Sequence, residues 1–352
     1  MSMNSKPQIA VVILNWNGLQ HLINYLPSIV ENTPDALLVL ADNASTDGSL
    51  AWVAQHYPSV QCLENTTNEG FAKGYNTFLN MLRKLHPHLQ GYVLLNSDVR
   101  VGVNWLQPLV YKLFSDNTMA AVQPYIMNDT QPDYFEYAGA AGGMLDTLAY
   151  PFCKGRLLKT VEQNNNQYTD ATPIHWASGA CIVVRADVYH QLGGLDADFF
   201  AHMEEIDYCW RCRNAGYTIY AVAASKVWHL GGGSMAYDSP FKTYLNFRNS
   251  LIMIIKNERN YRWLLVLTMR LLLDGVAGAR FLMQGKVAHT WAIIRAHFYI
   301  YFNVVAIANK RKTAKLFKKI DAHNTNYSIL YQYFIKRNKH FSALPIEPVA
   351  TT

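Results

Sequence analysis

Cysteine is scarce in this chain. Only Cys62, Cys153, Cys181, Cys209 and Cys212 occur among 352 residues, and an odd, scattered set argues against a disulfide framework. Cys209-Trp-Arg-Cys212 spells C-x-x-C, but no second pair stands at zinc-ribbon spacing. Two thiols on a helix against the core are therefore expected in place of a structural zinc. Also missing is an apolar opening segment headed by Lys or Arg. Met1 to Gln8 are polar, and Ile9 to Leu14 give only six apolar residues, too few for a signal peptide, so the main body is expected in the cytoplasm. No uninterrupted apolar run is long enough to cross a bilayer. Trp263 to Met283 comes nearest, but Arg270, Asp274 and Arg280 interrupt it at a cost of several kcal/mol at a bilayer centre, so it is not expected to span. Acidic side chains are nearly absent from the last third. Residues 241–352 hold 18 of the 31 Lys and Arg but 4 of the 25 Asp and Glu, a net of +14, whereas residues 1–240 carry 13 against 21, a net of −8. Two regions with different partners follow, 1–240 and 241–352.

Half the residues are apolar, enough for a large core. The chain is organised around Gly91-Tyr-Val-Leu-Leu-Asn96-Ser97-Asp98, an apolar run ending in polar residues. Tyr92 to Leu95 read as a buried parallel strand, and such a strand delivers Asn96 and Asp98 to the crevice where open α/β sheets bind ligands. A carboxylate there suits Mg2+ or Mn2+. A local turn, with Asn96 and Asp98 bonding only nearby backbone, is the alternative.

Other apolar runs precede this one. Gln8 to Leu14 is a strand ending in Asn15-Trp16-Asn17-Gly18, with a helix to about Val30, and Ala36 to Leu40 is a second strand ending at Asp42-Asn43. Ser45-Thr-Asp-Gly48 offers N-cap chemistry for a helix over Leu50 to His56. Asp42, at a strand end, is placed as an acid that meets a ribose or base, or as a turn former. Val60 to Leu63 is a third strand and Phe71 to Leu85 a helix. Lys73 in its first turn opposes the helix dipole unless an anion, such as a diphosphate, lies near; a solvated lysine is the alternative. After a helix over Trp105 to Phe114 and a strand over Ala120 to Ile126, the alternation predicts a mostly parallel sheet with helices on both faces. Gln131 to Thr172 breaks the rhythm and reads as a long loop or hairpin region over the site. Trp176 to Val184 is a strand with small residues at its entrance, and Asp187 to Gln191 a short helix. His202 to Gly216 reads as a helix with Glu204, Glu205 and Asp207 at its start and base near its end. A strand over Tyr217 to Val222 and the stretch Val227-Trp228-His229 to Ser234 close the region.

Seven stretches in this order, VVILNWNG, LADNASTDGS, NEGFAKGYN, LLNSDVRV, WASGACIVVRADVYHQLGGLDADFF, EEIDYCWRCRNAGY and VWHLGGGS, resemble family 2 glycosyltransferases of the GT-A fold. The likeness is strongest to the rhamnosyltransferase-like branch that builds bacterial cell-surface polysaccharides, and it runs from about Gln8 to Ser234. It implies that Asn15 and Asp42 contact the nucleotide and that Asp98 is the metal-bridging acid of a D-x-D element in which Asn96 replaces the first acid. His229 would complete the metal site, or else pack in the core beside Trp228. The family's Glu-Asp element falls on Glu204-Glu205. Glu205 is then the general base, although the family usually has Asp there. Asp207 is a rival, but Arg211 at i+4 offers it a helix ion pair.

The resemblance implies inverting, metal-dependent transfer of a sugar, with rhamnose as first guess, from a nucleoside diphosphate donor to a saccharide or lipid-linked saccharide. The alternative is a catalytically silent relative acting as a membrane assembly partner. A nucleotidyltransferase is disfavoured because no Gly-rich, basic loop follows the first strand. Residues 241–352 read as basic, aromatic-rich helices on an anionic membrane surface at the inner face of the cell membrane, through a cluster from Lys310 to Lys319. Packing on the catalytic domain or on a second subunit, as in a homo-oligomer, is the alternative. A nucleic-acid partner is not expected, because the acidic first region would repel it. Tyr244, Arg248 and Asn249 are placed to meet a lipid-linked diphosphate acceptor.

Overall fold

The computed structural model describes residues 8–168, 170–231, 238–258, 260–313 and 325–345. The first half alternates as its apolar periodicity requires: β1 (Ile9–Asn15), α1 (Leu19–Glu31), β2 (Leu37–Asp42), α2 (Ser49–His56), β3 (Gln61–Glu64), α3 (Gly70–Leu85), β4 (Gly91–Asn96), β5 (Val99–Val101), α4 (Leu106–Phe114) and β6 (Met119–Asn128). The short strands β7 (Gly143–Leu145), β8 (Pro151–Cys153), β9 (Arg156–Leu157) and β10 (Thr160–Val161) form a separate antiparallel sheet. The region expected to be loop or hairpin is thus a small sheet of its own. Next come β11 (Thr172–Pro173), β12 (Cys181–Arg185), α5 (Ala186–Gln191), α6 (Glu204–Asn214) and β13 (Thr218–His229). Three long helices follow: α7 (Pro240–Asn257), α8 (Arg262–Met283) and α9 (Val287–Thr313).

The main sheet has the order β11-β13-β6-β12-β4-β1-β2-β3, with β5 on β13. Strands β3, β2, β1 and β4 are mutually parallel, and β13 runs parallel to β6. Strand β12 enters antiparallel between β4 and β6. Side chains alternate across the sheet, as period two requires. Val11 and Ile13 of β1 join Leu22 and Leu26 of α1 and Leu109 of α4 on one face. On the other, Ala10 and Val12 meet Tyr75 and Phe78 of α3, Trp210 of α6 and Ile254 of α7. Both faces are covered, giving the mixed α/β architecture expected. All five cysteines are free, and Cys209 and Cys212 are fully buried, as expected for thiols against a core.

Two differences move functional residues. Tyr217 to Val222 and Val227 to His229, read as separate pieces, form one strand with an irregularity between Val222 and Lys226. Its far end pairs antiparallel with β5 and sets His229 opposite Val99, the residue after Asp98. The basic region is also less separate than its charge suggests. Leu251 to Ile255 of α7 lie in the same apolar cluster as the main sheet, while Ile329, Phe341 and Leu344 pack against Phe152 and Leu157 of the small sheet.

Candidate active site

Strands β1, β2 and β4 end together, so Asn15, Asp42 and Asn96 arrive at one edge of the sheet. Asn15 lies opposite Asp42 in the parallel register. Its amide donates to Asp42 Oδ1 at 2.9 Å and Ser45 Oγ at 3.1 Å, and Asp42 Oδ2 accepts from the Ser45 amide at 2.8 Å. Asp42 is fully buried and acts here as the turn former of this junction. Asn15 Oδ1 is buried without a partner, and a Cβ at Gly18 would stand 2.4 Å from it. The absence of a side chain at Gly18 keeps that acceptor from being blocked.

Asp47 rather than Ser45 serves the start of α2, accepting from the Ser49 amide at 3.1 Å. Lys73 is more than half exposed and pairs with Glu69 at 2.7 Å. The amides of Phe71 and Ala72 donate to Phe200 O at 2.7 and 3.3 Å. The protein therefore supplies its own anion and acceptor at the start of α3, and a diphosphate there would displace both.

A second cluster forms where β4 meets β13. His229 Nε2 lies 3.2 Å from Asp98 Oδ1, and Nδ1 lies 3.7 Å from Glu136 Oε1. Burial alone would depress the imidazole pKa, but the carboxylates of Asp98 and Glu136 outweigh it and hold the ring up to about 10. Burial would likewise raise Asp98, yet the bond and charge of His229 keep it below the usual carboxylate range. Asn96 Nδ2 faces the same Nε2 at 3.4 Å. With that nitrogen protonated two donors would meet, and turning the amide over brings its oxygen there instead.

These residues fit a divalent cation. Asp98 oxygen, His229 Nε2 and the Asn96 amide oxygen form an oxygen-rich donor set suited to Mg2+ or Mn2+ once the Nε2 proton is displaced. Glu136 faces the opposite ring nitrogen at 3.7 Å, an ion-pair distance with no hydrogen bond, and its charge favours a proton on that nitrogen. Among the described residues no three His, Cys, Asp or Glu side chains form a preformed metal cage, and Glu136 lies across the ring from Asp98. Glu136 was not legible in the sequence, because it stands in the irregular stretch between β6 and β7 where no periodicity points inward.

Helix α6 brings the acids. A Cβ at Gly179 would lie 3.9 Å from Glu205 Cβ, and the neighbouring Ala180 carbonyl accepts from the main-chain N–H of Asn96 at 3.0 Å. Glu205 thus stands one strand away from the Asn96 cluster. Glu205 Oε2 has no hydrogen-bond partner, and burial pushes its carboxyl up to about 7. Glu204 is raised well above the usual carboxyl range by its own burial and then by the charge of Glu205. Two adjacent acids with separated proton affinities make one a standing acid and the other a base near neutrality.

Asp207 is different. Arg211 Nε at 2.9 Å, Lys256 Nζ at 3.0 Å and Asn257 Nδ2 at 2.7 Å occupy its oxygens. Despite full burial its carboxyl is held below the usual range by Lys256 and Arg211. It ties α6 to α7 and has little capacity left for a substrate proton.

The loop before α6 carries left-handed φ at Phe200 (62°), His202 (68°) and Met203 (72°). Such strain persists only where neighbours enforce it. Asn249 Nδ2 reaches the carbonyls of Phe199, Ala201 and His202 at 3.0, 2.9 and 2.8 Å. Arg248 Nη2 adds the carbonyls of Asp198 and Phe199 at 2.8 and 3.1 Å. Asn249 is fully buried, and Arg248 nearly so. The two residues placed by the sequence against an acceptor instead brace the loop that presents Glu205. Tyr244 lies between Arg248 and Arg295, with their guanidinium carbons 5.3 and 4.9 Å from its ring. His202 keeps a buried Nε2 without a partner, and burial with the Lys242 charge lowers its pKa to about 4.

The family described as Glycosyltransferase like family 2 matches residues 7–250. Among curated relatives, the N-acetylglucosaminyl-diphospho-decaprenol L-rhamnosyltransferase of Mycobacterium tuberculosis is 27% identical over 269 residues, spanning 72% of this chain and 86% of the relative. The dTDP-rhamnosyl transferase RfbF of Shigella flexneri is 21% identical over 267 residues, 73% of this chain and 82% of its own. Among solved structures, Staphylococcus aureus TarS 1–349 in complex with UDP-GlcNAc superposes with a TM-score of 0.54 at 13% identity, over 88% of this chain and 90% of the other. The mannosyltransferase of Pyrobaculum calidifontis in complex with GDP-Man and Mn2+ gives 0.50 at 16% identity, over 88% of both chains. These last two likenesses show the GT-A fold.

Proposed function

The chain belongs to glycosyltransferase family 2, and from that premise we propose that it transfers a sugar, rhamnose first among candidates, from a nucleoside diphosphate to a hydroxyl of a saccharide or lipid-linked saccharide, with inversion. One observation carries the reading: Glu205, a buried carboxyl balanced near neutrality, stands one strand from the cluster of Asn96, Asp98 and His229. The relatives' rhamnosyl activities and the decaprenol-linked acceptor in one of their names support the choice of donor and acceptor.

In this mechanism Glu205 takes the proton of the acceptor hydroxyl as that oxygen bonds to the anomeric carbon, and the sugar–phosphate bond breaks with its electron pair leaving on the diphosphate. Glu204 keeps its proton and adds no second charge beside the base. Asn15 meets the nucleoside end through its unpartnered Oδ1, and Asp42 holds Asn15 in place for it. Asp98, His229 and Asn96 would hold Mg2+ or Mn2+, which supplies charge neutralisation for the departing diphosphate. Lys73 contributes only after exchanging Glu69 for phosphate. Residues 1–240 carry this chemistry, and 241–352 brace the acceptor side and hold the enzyme at the inner face of the cell membrane.

A panel of nucleotide sugars offered with a lipid-linked saccharide, with Mn2+ or with a chelator, tests the reading by mass spectrometry. One donor should be consumed with glycosylated product, and chelation should stop it. Donor binding with no turnover of any sugar would favour a silent relative instead.

A further inference from the structure

Helices α8 and α9 present apolar side chains on the side turned outward, which a water-facing hairpin would not. A surface helix ordinarily turns its apolar stripe inward and its charges outward. On α8, Arg270 and Asp274 are instead almost fully buried, 3% and 1% exposed. Arg270 donates to Ser250 Oγ at 2.6 Å and Leu148 O at 3.2 Å, and Asp274 meets His297 of α9 at 3.3 Å. The outward face carries Leu265, Leu272 and Val276, each more than 60% exposed. On α9, Trp291, Phe298 and Phe302 stand outward at 50% to 82% exposure. Both triplets have the spacing i, i+7, i+11, which keeps each on one side of its helix.

The charges that break the apolar run from Trp263 to Met283 therefore do not line its outer face, apart from Arg280. Residues Val287–Arg311 of α9 have the length of a span and contain an 18-residue stretch apolar enough for one, with a mean hydropathy of 1.4. Both ends of that helix are nevertheless fastened to the body: His289 bonds Thr243 at 2.8 Å, and Lys310 bonds Asp196 at 2.8 Å and Asp198 at 2.6 Å. Its inner side, including Ile300 and Ile307, packs into the main core. The helix lies along the protein and shows only one side outward.

We propose that the outward face of the α8–α9 hairpin inserts into the interfacial layer of an anionic bilayer, with its apolar side chains rather than the basic cluster as the main anchor. Charge chooses the bilayer over a second copy. Residues 241–352 carry a net +14, and Arg280 and Arg295 are exposed on these same helices, so two such faces would repel while anionic headgroups would attract. Rings at this position suit the headgroup boundary. Of the expected cluster, Lys310 and Arg311 turn to the protein; the Lys312 side chain is not among those described, and Lys315, Lys318 and Lys319 lie outside the described residues. The inference deepens the membrane placement in the proposed function and rests on it for the acceptor alone.

Flotation of the full chain with zwitterionic vesicles, and with vesicles enriched in anionic phospholipid, tests it at low and at molar salt. The wild type should float best with anionic vesicles and stay largely bound in molar salt. Leu272→Glu combined with Phe302→Glu should lower partitioning roughly a hundredfold. A thermal shift with nucleotide sugar shows that the variant is folded, and Val276→Glu with Phe298→Glu is the second pair should the first misfold. Equal flotation of wild type and folded variant overturns the proposal. So does a wild type that ignores vesicles, whether monomeric or a dimer that the variant dissociates. Flotation as expected, but without nucleotide-sugar binding by the wild type, would overturn the proposed function and leave this docking face standing.

Discussion

At the scale of single residues the account rests on carboxyls whose surroundings pull them apart. Glu205 must lose its proton to act, and its folded pKa is raised to about 7, so kcat/KM should rise with pH through that value and level off above it. A raised carboxyl also favours the protonated fold: its stabilising effect is full below the ordinary value of 4.5 and is lost as pH rises through about 7. Thermal melts across this range should fall in the wild type and fall less steeply in Glu205→Gln, where Glu204 still holds its proton. Asp98→Ala should lower the melting temperature, because it leaves buried His229 without its nearer carboxylate, and in the folded variant abolish Mn2+-dependent donor binding by calorimetry; undiminished binding would remove Asp98 from the metal site. Glu136→Gln should weaken Mn2+ binding while sparing the fold, since it removes the negative charge that faces the far ring nitrogen of His229. Asp98, His229 and Glu205 were legible because ordered motifs surround them. Glu136 was not, because it belongs to the cluster only through the packing of an irregular segment onto β13.

At the scale of elements the decisive device is the brace between α7 and α6. Asp207, Lys256 and Arg211 form a buried network, and Lys256 also reaches Asp196 in the loop before α6. Leaving one partner of such a network unpaired is strongly destabilising, about 3 to 5 kcal/mol. Lys256→Met should therefore lower the denaturant midpoint sharply. Both carboxyls are held below their ordinary value of 3.8, so their contribution is present above that pH and is lost as pH falls below it. Acid unfolding of the wild type should begin there and move to higher pH if the lysine is removed. If Lys256→Met melts like the wild type, the brace is not a structural one. The Asp207–Arg211 spacing announced half of this network in the sequence. The other half joins residues about 50 positions apart, which no local pattern encodes. For the same reason β12 was foreseen as a strand but not as an antiparallel one, since its direction depends on which neighbours it slides between.

At the scale of the whole molecule, charge and core divide the chain differently. The net charge changes sign near residue 240, yet α7 is built into the core of the main sheet, and the final described segment returns to the small sheet. Composition could show that the last third differs in charge, but it could not show that Arg270 and Asp274 turn inward, because a charge in an apolar run looks the same whichever side it faces. The resulting molecule joins a polar sheet edge, a strained loop leading into the helix that carries Glu205, and an outward apolar hairpin. Its central claim, inverting sugar transfer by Glu205, is tested most directly by single-turnover transfer from the preferred nucleotide sugar, with NMR of the product's anomeric centre. The wild type should give one product of inverted configuration, and Glu205→Gln should bind the donor equally but transfer at least roughly 100-fold more slowly. A retained configuration, or unchanged transfer by Glu205→Gln, would contradict the account.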